Sequence, residues 1–190
     1  MMQKNIAIFA SGQGTNAANI IDYFSDTDVK IRVVLTNNPN AGVVKIANDN
    51  NIPIIIFDKN LFGDSEKFLD TLQDYDLDLL VLAGFLWLIP PFLIKKYKNR
   101  IINIHPALLP RYGGKGMYGM RVHEAVKSSG DAKTGITIHF VNENYDEGDI
   151  IFQKEIDVDL SDSPEDIAQN IHKLEYKYFP LIIEKLLKEY

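Results

Sequence analysis

The chain has 190 residues, no cysteine, 46% hydrophobic residues and a formal net charge of −6. That size and apolar content suit one core, so a single domain over 1–190 is expected, and the absent thiols exclude disulfides, thiolate catalysis and Cys-ligated zinc. The acidic balance argues against nucleic-acid binding, no apolar run reaches the roughly 18 residues of a membrane span, and "NIAIFASG" lacks the flanks of a signal peptide, so a cytoplasmic protein is expected. Residues 5–10 read as an apolar strand and 15–24 as a helix. A second strand is predicted over 31–36, a helix over 41–50, a short strand over 54–57 and a helix over 65–73. Strands over 79–83 and 100–104 follow. Continuous apolar strands separated by helices predict a parallel sheet covered on both faces. Further on, "GITIHFV" (135–141) and "DIIFQKEIDV" (149–158) are joined only by "NENYDEG". That link is too short for a parallel crossover, so the pair is expected to be antiparallel. A long helix closes the chain, with Ser163 suited to the N-cap, Pro164 to the first helical position and Asp166 three residues after the cap. The predicted class is α/β: a Rossmann-like, mostly parallel sheet with helices on both faces, then an antiparallel strand pair and a long helix. The glycine-rich "RYGGKGMYG" (111–119) is the one long irregular segment.

Four stretches carry chemistry. In "SGQGTNAANI", Gly12, Gly14 and Ala17 fit G-x-G-x-x-G/A at a strand-to-helix turn. Glycines let backbone N–H groups approach a phosphate, and a helix N-terminus favours negative charge. A dinucleotide site would also want an acid at the end of the second strand, where this chain has the amides of "LTNNPN". An NAD site is therefore disfavoured and a phosphate or phosphoribosyl site stays open, with Thr15 and Asn16 adding side-chain bonds. The bland alternative is a tight turn. In "LLVLAGFLWLIPPFL", Phe85, Leu86, Trp87 and Leu88 follow the strand end at Gly84. They either cover the core or line a pocket for a flat ring.

In "RIINIHP", Asn103 and His105 alternate onto one strand face, and Pro106 ends the strand. A buried amide left unpaired costs about 1–3 kcal/mol, so two such groups aimed together indicate a site. Asp146, in the turn between the last two strands, is placed to reach His105, hold its tautomer and favour its protonated form. His139, inside a strand, reads as a packed, hydrogen-bonded histidine. His105, His139 and Asp146 could instead form a two-histidine, one-carboxylate metal site, although their spacing carries no metal signature. In "IHKLEYKYFPLIIEKLL", Pro180 deprives the Tyr176 carbonyl of its helical partner. A kink there would set that carbonyl beside Glu175 as an acceptor-rich spot for a substrate's ammonium or amide. His172, a turn earlier, either shares that face or is solvated.

From "IAIFASGQGTN" to "EYKYFPLII", and most strongly in "NIHPALLP" and Gly135-x-Thr137-Ile138-x-Phe140 ending in Asp146-x-Gly148, the chain resembles the glycinamide ribonucleotide formyltransferases of purine synthesis. The resemblance implies the formyltransferase fold and 10-formyltetrahydrofolate as co-substrate, without a metal. It implies small-molecule partners only, and a monomer or weak homodimer. By resemblance, Asn103, His105 and Asp146 match the catalytic trio. Gly12, Gly14, Thr15 and Asn16 match the turn that binds the ribonucleotide phosphate, and Glu175 matches an acid at the acceptor's glycinamide end. Leu86, Trp87, Leu88 and Ile89, with Asn103 and the turn Asn142, Glu143, Asn144, Tyr145 and Asp146, match segments that embrace the folate. Trp87 stands where many members carry Arg, and 113–120 is longer than the corresponding loop of many members, where it would act as a lid.

The implied chemistry explains the paired polar groups. An amine attacks the formyl carbon, and Asn103 with protonated His105 donates hydrogen bonds to the oxyanion of the tetrahedral intermediate. Asp146 favours imidazolium and passes protons through water. Three rivals share parts of this pattern. A formyltetrahydrofolate hydrolase would use the trio with water as acceptor and carry a further N-terminal regulatory domain. A methionyl-tRNA formyltransferase would need a tRNA-binding domain and a basic surface. A non-catalytic phosphoribosyl or nucleotide-binding module would keep the glycine turn without needing the trio.

Overall fold

The computed structural model describes residues 3–189. Its strands are β1 (Lys4–Phe9), β2 (Val29–Thr36), β3 (Ile54–Ile56), β4 (Leu79–Leu82), β5 (Ile101–His105), β6 (Lys133–Phe140) and β7 (Ile150–Asp157). Its helices are α1 (Thr15–Phe24), α2 (Gly42–Asp49), α3 (Lys59–Gly63), α4 (Ser65–Asp70), α5 (Pro91–Lys96), α6 (Met120–Ser129) and α7 (Pro164–Leu187). The strands form one sheet in the order β3-β2-β1-β4-β5-β6-β7. Pairing is parallel from β3 to β5 and antiparallel at β5–β6 and β6–β7. The expected antiparallel pair is thus present, and β6 also runs against β5.

The central strands are uniformly apolar because both faces are covered: β4 (LLVL) is buried at every position. Side chains alternate between two cores. Ile6, Ile8, Leu79 and Val81 pack with α1, α2, α6 and α7, while Ala7, Phe9, Leu80 and Leu82 pack with α3, α4 and α5.

Several boundaries differ from those predicted. The helix expected over 65–73 is α4 followed by a 3-10 turn at Gln73–Tyr75. A separate α3 precedes it, because Asp58 and Asp64 each cap a helix start, accepting from Leu61 N at 2.8 Å and Lys67 N at 3.2 Å. α5 begins at Pro91 inside the apolar run, and α6 begins at the end of the glycine-rich segment. α7 starts with the expected reciprocal cap: Asp166 N donates to Ser163 Oγ at 3.1 Å, and Ser163 N to Asp166 Oδ2 at 2.9 Å. The helix continues through Pro180 to Leu187. The carbonyl of Tyr176 does not await a substrate, since Asn19 Nδ2 of α1 donates to it at 2.9 Å.

Gly14 caps α1 in the left-handed region, at φ 78°. A Cβ there would lie 2.8 Å from Val43 Cβ and 2.9 Å from Val43 Cα, so this glycine is required where α1 meets α2. Gly14→Ala should therefore destabilise the fold by about 1–3 kcal/mol. Urea denaturation would show this as a lowered midpoint, and an unchanged midpoint would mean that α2 yields without strain.

Candidate active site

The carboxyl ends of β1, β4 and β5 open into a cavity of about 710 Å³. Gly12, Gly14, Thr15 and Asn16 line one side, and Leu86, Trp87, Leu88 and Ile89 another. Asn103, His105 and Asp146 converge within it, and Glu175 also reaches it from α7. Asn144 and Tyr145 line it too. Asn142 and Glu143 do not: Asn142 accepts from Asn144 N at 2.9 Å to close the turn, and Glu143 is exposed.

At the glycine turn, the first helical N–H groups of α1 have no side-chain cap, and the first turn carries no acid. This end of the helix is suited to an anion. Gly12 lies on its open side, since a Cβ there would meet nothing within 4 Å. Lys115 and Arg121 add positive charge to the cavity wall. Opposite, Leu86 and Leu88 are 42% and 41% exposed, giving an apolar surface for a flat ring. Trp87 packs edge-on against Phe57 at 6.0 Å.

The polar centre is assembled by antiparallel register. Asn103 pairs with His139 and His105 with Thr137 across β5 and β6. Residues directly opposite share a face, so His139, buried and hydrogen-bonded as expected, also faces the centre. His139 Nδ1 lies 2.8 Å from the Phe140 carbonyl, which can only accept, so a hydrogen sits on Nδ1, and Nε2 faces Asp146 Oδ1 at 3.6 Å. Asn103 Nδ2 lies 3.1 Å from His139 Nε2 and donates to Asp146 Oδ1 at 3.4 Å. His105 Nε2 donates to the Tyr112 carbonyl at 2.7 Å, which leaves Nδ1 facing Asp146 Oδ2 at 3.5 Å. Gly114 N, from the irregular segment, donates to Asp146 Oδ2 at 2.9 Å. Tyr112 and Asp146 both hold positive φ, 56° and 58°, a strain of about 1–3 kcal/mol each, clustered at one centre.

Electrostatics separate the roles. Burial pushes the Asp146 carboxyl up, but the His139 hydrogen bond, the charge His105 carries when protonated and Gly114 N–H outweigh it and hold Asp146 below the ordinary aspartate range. Burial pulls His105 down, with Asp146 and the Tyr112 carbonyl only partly opposing. Asp146 thus favours the protonated ring, as expected, while burial opposes it more strongly and disfavours imidazolium in the free protein. Among the described residues, no group of three His, Asp or Glu side chains is arranged to hold a metal ion.

A family model for formyl transferases matches residues 4–183. The chain belongs to the formyl transferase family. The Arabidopsis thaliana protein named phosphoribosylglycinamide formyltransferase, chloroplastic, is 41% identical, covering 98% of this chain, which spans 66% of that relative's length. The Bacillus subtilis phosphoribosylglycinamide formyltransferase is 36% identical over 97% of this chain and 95% of its own. A crystal structure of the Bacillus halodurans phosphoribosylglycinamide formyltransferase superposes with a TM-score of 0.86 at 33% identity, over 97% of this chain and 95% of the other.

Sequence reasoning missed three contributors to this formyl transferase site. Ser11 stitches its floor, with Leu86 N donating to Ser11 Oγ at 3.0 Å and that hydroxyl donating to Asn37 Oδ1 at 2.7 Å. His123 of α6 lines the cavity, and burial, with His172 and His105 nearby, pulls its pKa down to about 4. Tyr112 holds His105. Ser11 and Tyr112 stand in stretches already quoted, but nothing in those stretches names their partners, and no motif marks His123.

Glu175 is only 5% exposed and accepts from Asn16 Nδ2 at 2.9 Å. Burial pushes its carboxyl up to about 7, against the usual 4.5. The folded state therefore holds this proton more tightly than the unfolded chain. Stability falls as pH rises from the unfolded value toward 7, and the full penalty of about 3 kcal/mol applies above it. Glu175→Gln should stabilise the protein by up to that amount at alkaline pH and by little at acidic pH. Urea midpoints at both ends would show it, and a gap independent of pH would exclude a buried titrating acid.

Proposed function

We propose that this chain, acting as one domain, transfers the formyl group of 10-formyltetrahydrofolate to the amine of glycinamide ribonucleotide in cytoplasmic purine synthesis. The observation that carries the reading is the convergence of Asn103, His105 and Asp146 between an uncapped helix N-terminus and an exposed apolar loop. The ribonucleotide phosphate binds at the glycine turn, the folate ring lies against Leu86 and Leu88, and the reacting groups meet at the end of β5. The partners are these two small molecules, and the chain works as a monomer or weak homodimer.

The amine nitrogen attacks the formyl carbon, and the carbonyl electrons move to its oxygen. The long Asn103–Asp146 bond is the one this oxygen displaces, so Asn103 Nδ2 gains an oxyanion to donate to. His105 Nδ1 is bare at rest and takes up a proton as negative charge builds, with Asp146 at 3.5 Å stabilising the imidazolium. Collapse breaks the bond from carbon to the folate nitrogen. The amine's surplus proton, relayed through the His105–Asp146 pair or water, ends on that nitrogen. Asp146 thus assists proton transfer while Asn103 and His105 hold the charge.

The decisive experiment mixes the purified protein with both substrates and assays formylglycinamide ribonucleotide. Formate release independent of acceptor would favour the hydrolase reading, and binding without turnover the non-catalytic one. Asn103→Ala and His105→Ala should each lower kcat by about two orders of magnitude or more with the fold intact by circular dichroism. Near-normal turnover in either folded variant removes that residue from oxyanion stabilisation.

Gly12→Val tests the phosphate end separately, because its side chain would enter open cavity rather than the core. Loss of charge-assisted N–H contacts should raise the acceptor KM roughly tenfold or more. The folate KM should hardly change; an equal rise in both would place the phosphate elsewhere.

A further inference from the structure

His105 has two ring edges, and the proposed chemistry uses only Nδ1. The Nε2 edge lies 2.7 Å from the Tyr112 carbonyl oxygen. A carbonyl can only accept, so Nε2 keeps its hydrogen in either charge state, and the neutral ring leaves Nδ1 bare. The Tyr112 backbone sits at φ 56°, a region that an aromatic residue rarely adopts. Its side chain lines a second cavity of about 270 Å³, with Leu108, Arg111, Asp131 and Lys133. The two cavities share no lining residue.

Within the second cavity the Tyr112 hydroxyl donates to Asp131 Oδ2 at 2.5 Å and lies 2.5 Å from Ser129 Oγ. Arg111 Nη1 reaches the same Asp131 oxygen at 2.7 Å. Ser129 ends α6, and Asp131 lies in the turn before β6. The side chain therefore ties the segment leaving β5 to the turn between α6 and β6.

We propose that Tyr112 is a positioning residue for His105, clamped at its hydroxyl by Asp131 so that its carbonyl fixes the ring in the Nε2–H tautomer. The predicted effect on rate rests on the formyl-transfer reading of His105. Without the tether, the left-handed backbone relaxes toward negative φ and turns the carbonyl off Nε2. The neutral ring is then free to carry its hydrogen on Nδ1, where it bonds to Asp146 and cannot take up the amine's proton. The clamp acts from outside the substrate cavity, so it should govern turnover and not substrate binding.

Three variants test this. Tyr112→Phe removes the donor, Asp131→Ala removes the charged acceptor and leaves only the neutral Ser129 Oγ, and Asp131→Asn keeps an oxygen for the tyrosine hydroxyl. The first two should lower kcat roughly tenfold, the usual effect of losing a partner that orients a functional histidine, with both KM values nearly unchanged. Imidazole ¹⁵N spectra at mildly alkaline pH should show His105 as Nε2–H in the wild type and as a mixture of tautomers in these two variants. Asp131→Asn should restore both turnover and the single tautomer. An unchanged tautomer in Tyr112→Phe and Asp131→Ala overturns the proposal whatever happens to kcat. So does a rise in KM that accounts for the lost activity, or an Asp131→Asn variant as impaired as Asp131→Ala. The spectra need no substrate, so a wild-type protein that transfers no formyl group would defeat the functional reading and leave the clamp still decidable.

Discussion

The reversal of strand order between β1 and β4 decides where every functional group lies. β1 pairs with β2 on one side and β4 on the other. After β1 the chain turns into α1, which packs in one core; after β4 it turns into α5, which packs in the other. The two exits must part, and a crevice opens at the strands' carboxyl ends. Its depth is limited by hydrogen bonds across it, from Ser11 N to the Gly84 carbonyl and from Leu86 N to Ser11 Oγ, both 3.0 Å. β5, beside β4, then delivers Asn103 and His105 to the floor of a space whose walls are already fixed.

The polar centre depends in turn on β6 running against β5. Antiparallel register sets His139 opposite Asn103 and Thr137 opposite His105. Thr137 Oγ1 donates to the Ala107 carbonyl at 2.7 Å and accepts from Leu109 N at 3.0 Å, steering the chain away from the strand end. The turn after β6 brings Asp146 back over both Asn103 and His105. A buried carboxylate facing two imidazoles is expensive unless its lone pairs are used, and Asn103 and Gly114 use them. The centre is therefore oriented before substrates arrive. In the proposed formyl transfer, that suits a barrier that lies in charge developing on one oxygen.

How much of this was legible follows from which interactions are local. The continuous apolar runs marked the strands, because burial on both faces leaves no alternation to confuse with a helix. Ser163 and Asp166 marked the start of α7, because a capping box lies within four residues. Asn103 and His105 were legible as a pair, since alternation along one strand is itself local. By contrast, α5 was hidden within an apolar run, and α6 by the glycines before it. His139 was legible as a packed, hydrogen-bonded histidine, but only the β5–β6 register reveals that it faces Asn103. Gly14 read as a phosphate-approach glycine, whereas Val43, almost thirty residues on, supplies the stronger reason for it. Of the two opposing pulls on the His105 proton, that of Asp146 was visible in the sequence and the depth of burial was not.

Glu175 and Tyr176 show how the same surroundings treat two kinds of polar group differently. Pro180 does deprive the Tyr176 carbonyl of its helical donor, as the sequence implied. A carbonyl cannot change its charge, so in a partly buried position it needs a donor from the fold itself, and Asn19 provides one. Asn16, one turn earlier on α1, donates to Glu175 in the same way. The two amides thus set how α7 lies along α1, and with it the height of Glu175 above the glycine turn. One hydrogen bond does not satisfy a buried carboxylate, and Glu175 responds as only an ionisable group can, by binding a proton near neutral pH. The freed carbonyl is therefore a structural contact between helices, while the acid beside it keeps unspent capacity and faces the cavity. Of these two adjacent oxygen acceptors, Glu175 is the one that lines the cavity.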